Sequence, residues 1–135
     1  MLQQPVRFLL FWLLPLWVSA DHIHWMGNYD QAHQKAYDMH KPLLLLVIAK
    51  DSPSSNTVVK NVLMNQQYVD TINNKMVAVI VTYEGSENYP VEMYYTTVFP
   101  TLFFVDAQKE LFLQKPLYGD EITIKNVEKT VKKIL

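Results

Sequence analysis

The chain has 135 residues, with 12 lysines and arginines against 13 aspartates and glutamates and a formal net charge of −1. Half of it is hydrophobic, 19% is charged, and it holds 3 glycines and no cysteine. That length suits one domain; the composition is too apolar for a disordered chain, the charge lacks the basic excess of a nucleic-acid binder, and the missing cysteine excludes disulfides, thiol chemistry and cysteine-ligated metal or haem sites.

Residues 1–20 read as a secretory signal peptide. Arg7 precedes an apolar run from Phe8 to Val18, and Val18-Ser19-Ala20 is a small-residue cleavage pattern. The run falls short of the ~20 apolar residues that a bilayer span needs; an uncleaved N-terminal anchor is the alternative. Cleavage would leave an exported domain, periplasmic or secreted, beginning at Asp21 and without a membrane segment. Residues 21–28 read as a flexible N-terminal segment and 29–135 as the folded domain.

Within that domain, Asn28 or Asp30 caps a first helix running to about His40, with Tyr29, Ala32, Ala36 and Tyr37 on one face. Lys41-Pro42 stops it. Leu43 to Ala49 is a continuous apolar run, which marks a central strand covered on both faces. A polar turn, Asp51-Ser52-Pro53-Ser54-Ser55-Asn56, leads into a helix expected from Thr57 to about Asn74, bent near Asn65. Met76 to Thr82 is the second buried strand, and the helix between makes a right-handed parallel crossover. A polar loop follows from Tyr83 to Pro90, then a helical turn from Val91 to Tyr95. Leu102 to Asp106 and Glu110 to Lys115 form a hairpin, with Leu111 and Leu113 on one side and Pro116 suited to an edge strand. The last helix, from about Thr123 to Leu135, carries a stripe of Ile124, Val127, Val131 and Ile134 and an i,i+4 pair of Glu128 and Lys132. The order predicts an α/β fold: a three-layer α/β/α sandwich around a central mixed sheet of about four strands.

Several strings in that order resemble the thioredoxin-like superfamily, over roughly Tyr29 to Leu135. Lys41-Pro42-Leu43-Leu44 looks like the lead-in to the first strand of secreted members. Val62 to Val69 followed by Met76-Val77 is similar to their second helix and strand, and Phe99-Pro100-Thr101-Leu102 to their cis-proline segment. Gly119 stands where the family places a glycine after its last strand. The resemblance implies a C-x-x-C redox turn where this chain has Ser52-Pro53-Ser54-Ser55. The tryptophan expected before it is Asp51, the lysine after it is Asn56, and the buried acid of the first strand falls at Leu46. Thiol–disulfide exchange needs a thiolate, which a helix N-terminus favours. A serine hydroxyl neither ionises usefully there nor forms a disulfide.

Ser52 and Ser55 are therefore degenerate redox positions, and no catalytic residue is assigned. Helix capping accounts for both serines; replacement of native cysteines is an alternative. A third reading keeps the surface in use, because the family's cis-proline loop presents backbone to an extended peptide and strand addition needs no sulfur. The binding residues expected on it are Asp51, Ser52, Pro53, Ser54, Ser55, Tyr94, Phe99, Pro100 and Thr101. The tyrosine-rich stretch Tyr83, Tyr89, Tyr94, Tyr95 and Phe99 would form an apolar patch beside them, or pack the core. The expected function is that of an exported, redox-inactive thioredoxin-like domain holding a protein or extended peptide partner, with no cofactor and no nucleic acid. The alternatives are a cell-envelope thiol–disulfide oxidoreductase, by descent or with its cysteines replaced, and a secreted metal-trapping protein using His22 and His24 beside a free amine. His33 and His40, seven residues apart, miss the spacing of a helical zinc site and are expected to be solvated. No G-x-S-x-G elbow or glycine-rich phosphate loop is present.

Overall fold

A computed structural model of the chain describes residues 22–50, 52–63, 66–85 and 88–135. The expected signal segment, Asp21 and Asp51 lie outside the described residues. The two continuous apolar runs are the middle of the sheet. Leu43–Ile48 forms β2 and Val77–Thr82 forms β3, parallel and in register from Leu43 opposite Val77 to Ile48 opposite Thr82. Five consecutive residues of β2 are buried, as a strand covered on both faces requires. β4, Thr101–Asp106, runs antiparallel to β2, and β5, Leu111–Tyr118, antiparallel to β4 at the sheet edge, with Pro116 inside it.

The sheet has five strands, not about four. The additional strand is β1, Trp25–Met26, parallel to Ala78 and Val79 of β3, giving the order β1-β3-β2-β4-β5. The expected flexible segment 21–28 is corrected accordingly. Ile23 is 1% exposed in the core, and burying such a side chain stabilises by about 1.5–3 kcal/mol. Asn73 clamps the same stretch, donating its amide to the His22 carbonyl at 2.9 Å and accepting from His24 N at 2.9 Å. The outer edge of β3 needs backbone partners, and residues 23–26 supply both those and an apolar anchor.

Helices cover both faces. On one, α1 (Tyr29–Met39) packs Tyr29, Ala32 and Ala36 against Leu43, Leu45, Val47, Phe103 and Val105. Asn28 is its N-cap, accepting from Gln31 N at 2.9 Å. On the other face, Tyr68, Val69 and Ile72 join Val127 and Val131 over Leu44, Leu46, Leu102 and Phe104. The single helix expected from Thr57 to Asn74 is two: α2, Pro53–Asn61, and α3, Gln66–Lys75, parted by a turn at Val62 and Leu63. α2 starts four residues earlier than expected because Ser52 caps it and Pro53, which lacks an N–H, suits its first position. α4, Ile124–Ile134, is capped by Thr123 and carries the Glu128–Lys132 pair at 2.8 Å.

His33 is not simply solvated. Its Nε2 lies 2.6 Å from Glu110 Oε1, a charged pair when the imidazole is protonated, and its ring stacks 5.6 Å from Tyr29. Glu110 stands at the end of the hairpin turn with a left-handed φ of 56°, its N–H donating to the Asp106 carbonyl at 2.9 Å. Tyr94 is fully buried on that face, its hydroxyl 3.1 Å from that of Tyr29 and its ring 5.3 Å from Phe103. Burial raises both phenols above their ordinary range, and on the opposite face pushes Tyr68 up to about 12.

Candidate functional site

Three chain segments meet at the end of the sheet from which β2 emerges. The first is the N-terminus of α2. Ser52 Oγ accepts from Ser55 N at 3.3 Å, the capping role expected of it. Pro53 and Ser54 project to solvent, while Ser55 is 2% exposed and its hydroxyl has no hydrogen-bond partner among the described residues. Leu46, where the resemblance puts a buried acid, is wholly apolar core. The turn therefore offers neither a thiol nor a proton acceptor in the strand beneath it.

The second segment runs from Thr96 to Thr101 through a cis Phe99–Pro100 bond. A closed ring of three hydrogen bonds shapes it. Val98 N donates to Thr96 Oγ1 at 3.1 Å, Thr101 Oγ1 donates to the Val98 carbonyl at 2.6 Å, and the two threonine hydroxyls lie 2.9 Å apart. Thr96, Pro100 and Thr101 are buried, so they hold the loop rather than touch a partner. Val98 is 45% exposed, and Phe99 is half-buried against Tyr83 with ring centroids 5.1 Å apart. The Phe99 N–H and carbonyl make no hydrogen bond among the described residues. Next to Tyr83, Glu84 Oε1 accepts from Lys50 N at 2.7 Å, just past the end of β2.

The third segment is the turn after β5. Gly119 has a φ of +50°, the left-handed region that glycine occupies freely, and its N–H donates to the Pro100 carbonyl at 2.8 Å. A Cβ at this position would stand 3.1 Å from Val98 Cγ1, so the glycine lets the two loops approach. Asp120 follows, exposed and without an ion pair or side-chain hydrogen bond among the described residues.

Between these segments lies an open cleft of about 410 Å³. Pro53, Ser54, Thr57 and Val58 form one wall, Val98 and Phe99 another, and Gly119 and Asp120 the third. Of the residues expected at the site, Pro53, Ser54 and Phe99 line it. Ser52 caps α2 beside it, and Ser55, Pro100 and Thr101 support it from below. Tyr94 does not belong to it: it is corrected to a core residue, because its ring fills the space between Tyr29, Phe103 and Phe112. Val98, Val58 and Asp120 were not expected. Their adjacency to the proline and to Gly119 was the only sequence signal, and it says nothing of exposure. The His22 and His24 rings lie 6.3 Å apart, and among the described residues no three His, Cys, Asp or Glu side chains converge to hold a metal.

No protein-family model matches the chain, and no curated protein matches it. Solved structures do. A DsbH oxidoreductase is 19% identical with a TM-score of 0.68, the match covering 87% of this chain and 88% of that one. A thioredoxin from Thermus thermophilus is 15% identical with a TM-score of 0.71, over 84% of this chain and 88% of that one. Deadhead, a germline-specific thioredoxin of Drosophila melanogaster, is 17% identical with a TM-score of 0.59, over 85% of this chain and 99% of that one.

Proposed function

From the thioredoxin fold that this chain has, and from its lack of any cysteine, we propose that it is an exported, redox-inactive domain that binds an extended protein or peptide segment without forming a covalent bond. One observation carries the reading. Phe99 holds a backbone N–H and carbonyl that make no hydrogen bond among the described residues, at the rim of an open cleft beside exposed Val98 and the N-terminus of α2. An extended segment laid along Phe99 would pair with both groups, and strand addition of this kind takes its affinity from the main chain. Val58, Val98, Phe99 and Tyr83 give its side chains apolar surface. Thiol–disulfide exchange has no group to carry it, since both turn positions bear hydroxyls.

Export is supported by the apolar run Phe8 to Val18, preceded by Arg7 and followed by Val18-Ser19-Ala20. Among the described residues no helix is long and apolar enough to cross a membrane.

A titration of the ¹⁵N-labelled domain from residue 22 with short acetylated peptides tests the binding. The Phe99 amide is expected to shift downfield as it gains an acceptor. A peptide N-methylated at the residue opposite Phe99 is expected to lose about tenfold or more in affinity, since one main-chain bond is removed and its partner is left buried. Equal binding of methylated and unmethylated peptides at every position would rule out strand addition. Fusion of residues 1–20 to a reporter, followed by N-terminal sequencing of the exported product, tests the signal; a reporter retained in the cytoplasm refutes it.

A further inference from the structure

Among the described residues lining the cleft, Asp120 is the single ionised side chain; the others are apolar, hydroxylic or glycine. Its carboxylate is exposed and makes no ion pair or side-chain hydrogen bond among the described residues, so nothing in the fold consumes it. It belongs to the turn Gly119–Glu121, whose following residue Glu121 does have a structural duty, accepting from Tyr118 N at 3.0 Å. The left-handed Gly119, bonded through its N–H to the Pro100 carbonyl, fixes Asp120 directly beside the cis-proline loop. Across the cleft stand Val58 and Pro53, with Val98 and Phe99 between.

We infer that this cleft selects extended segments in which a lysine or arginine lies beside an apolar residue, with Asp120 reading the charge. The inference rests on the strand-adding function proposed above and adds the chemical class of the partner. The apolar side chain sits against Val58 and Val98. The main chain runs along Phe99. The cationic side chain, on the Gly119 side, meets the carboxylate at the cleft rim. A cation there keeps most of its hydration, so the contact discriminates between partners more than it strengthens binding. A glutamate at the same place would meet a like charge with no cationic side chain among the described lining residues to offset it.

The test uses the domain from residue 22, as wild type, Asp120→Asn and Asp120→Lys. Three alanine-based heptapeptides, acetylated and amidated, carry a central valine flanked two residues away on both sides by lysine, glutamine or glutamate. Dissociation constants come from amide shifts of Phe99 and Val98 at low salt and at about 0.3 M salt. On the wild type the lysine peptide is expected to bind about three- to tenfold tighter than the glutamate peptide at low salt, with the ratio shrinking at high salt. Asp120→Asn is expected to bring the three peptides together, and Asp120→Lys to reverse their order. A gain for the glutamate peptide on Asp120→Lys cannot come from misfolding. Equal binding of all three peptides to the wild type, or an unchanged order on Asp120→Asn, overturns charge selection and leaves strand addition standing. No shift at Phe99 with any peptide overturns strand addition, and charge selection with it.

Discussion

Replacing Ser55 by alanine is expected to stabilise the fold, against the usual direction for a substitution at a buried position. The side chain is 2% exposed, and its Oγ has no hydrogen-bond partner among the described residues. A buried hydroxyl in that state costs about 1–3 kcal/mol. Alanine removes it and gains up to about 0.5 kcal/mol as a better helix former in the first turn of α2. The void left by one oxygen, some 10–15 Å³, takes back roughly 0.3 kcal/mol. The balance is a gain of about 1–3 kcal/mol. Ser55→Cys is expected to do at least as well, since a reduced thiol behaves as a small apolar group. Urea unfolding followed by the fluorescence of Trp25, the single tryptophan from residue 22 onward, reads the effect. With a slope of about 2 kcal/mol/M the midpoint should rise by roughly 0.5–1.5 M. A lower midpoint for both variants would mean that the hydroxyl is bonded and earns its place as a polar group. The reading of the Ser55 hydroxyl as buried without a partner would then be withdrawn.

Tyr94→Ala should cost about 3–5 kcal/mol as a core truncation, and Tyr94→Phe about 1–2 kcal/mol by leaving the Tyr29 hydroxyl unpaired. Thermal melts read both, and peptide affinity of the Phe variant should equal wild type; a folded Phe variant with weakened binding would put Tyr94 back in the site. Alkaline pH should destabilise the domain. Tyr68, at about 12, and Tyr94, also raised, keep their protons in the folded state while the unfolded chain loses them from about pH 10. Stability from these groups is level below pH 10 and falls above it, by about 1.4 kcal/mol per pH unit for each, until the folded-state values are reached. Urea midpoints that stay constant between pH 9 and pH 11 would contradict this. Gly119→Ala should lose about 1–2 kcal/mol through its left-handed φ and weaken peptide binding by pushing on Val98; a variant as stable as wild type by urea midpoint would show that the turn has no such strain. Ser52→Ala should cost about 1 kcal/mol as a lost N-cap, with a matching fall in melting temperature and no change in peptide selectivity.

The central sheet was legible because β2 and β3 are apolar without alternation, and only burial on both faces explains such runs. The amphipathic stripe of α4 was legible from its spacing, and Asn28 was one of two capping candidates for α1, while Thr123 was read as helical and is the cap. β1 was not. Two residues have no period, and Trp25–Met26 is a strand only because β3 presents an open edge some fifty residues away in the chain. The start of α2 was misplaced because Ser52-Pro53 is both a turn signal and a helix start, and the turn reading left the first four residues out of the helix. Tyr94 was misread because an aromatic residue in an irregular segment has no periodicity to say which way it faces. The pairing of His33 with Glu110 spans 77 residues and leaves no trace in spacing. At the cleft, the proline and the glycine were visible as punctuation, while the exposure of Val98 and the free backbone of Phe99 depend on the three-bond threonine ring that forms only on folding.

The two edges of the sheet differ in what they offer to other molecules. On the β1 side the strand is two residues long, too short to template a neighbour. On the β5 side Leu111, Phe112 and Leu113 are 57%, 43% and 37% exposed, with no charge among them to repel an incoming strand. Pro116, which has no N–H to give, closes that row five residues in. Misassembly therefore has a direction in this molecule. At high concentration or during refolding, the expected route is growth outward from the first half of β5. One lysine placed at Leu113 would act as a gatekeeper there, far from the cleft and without cost to the core.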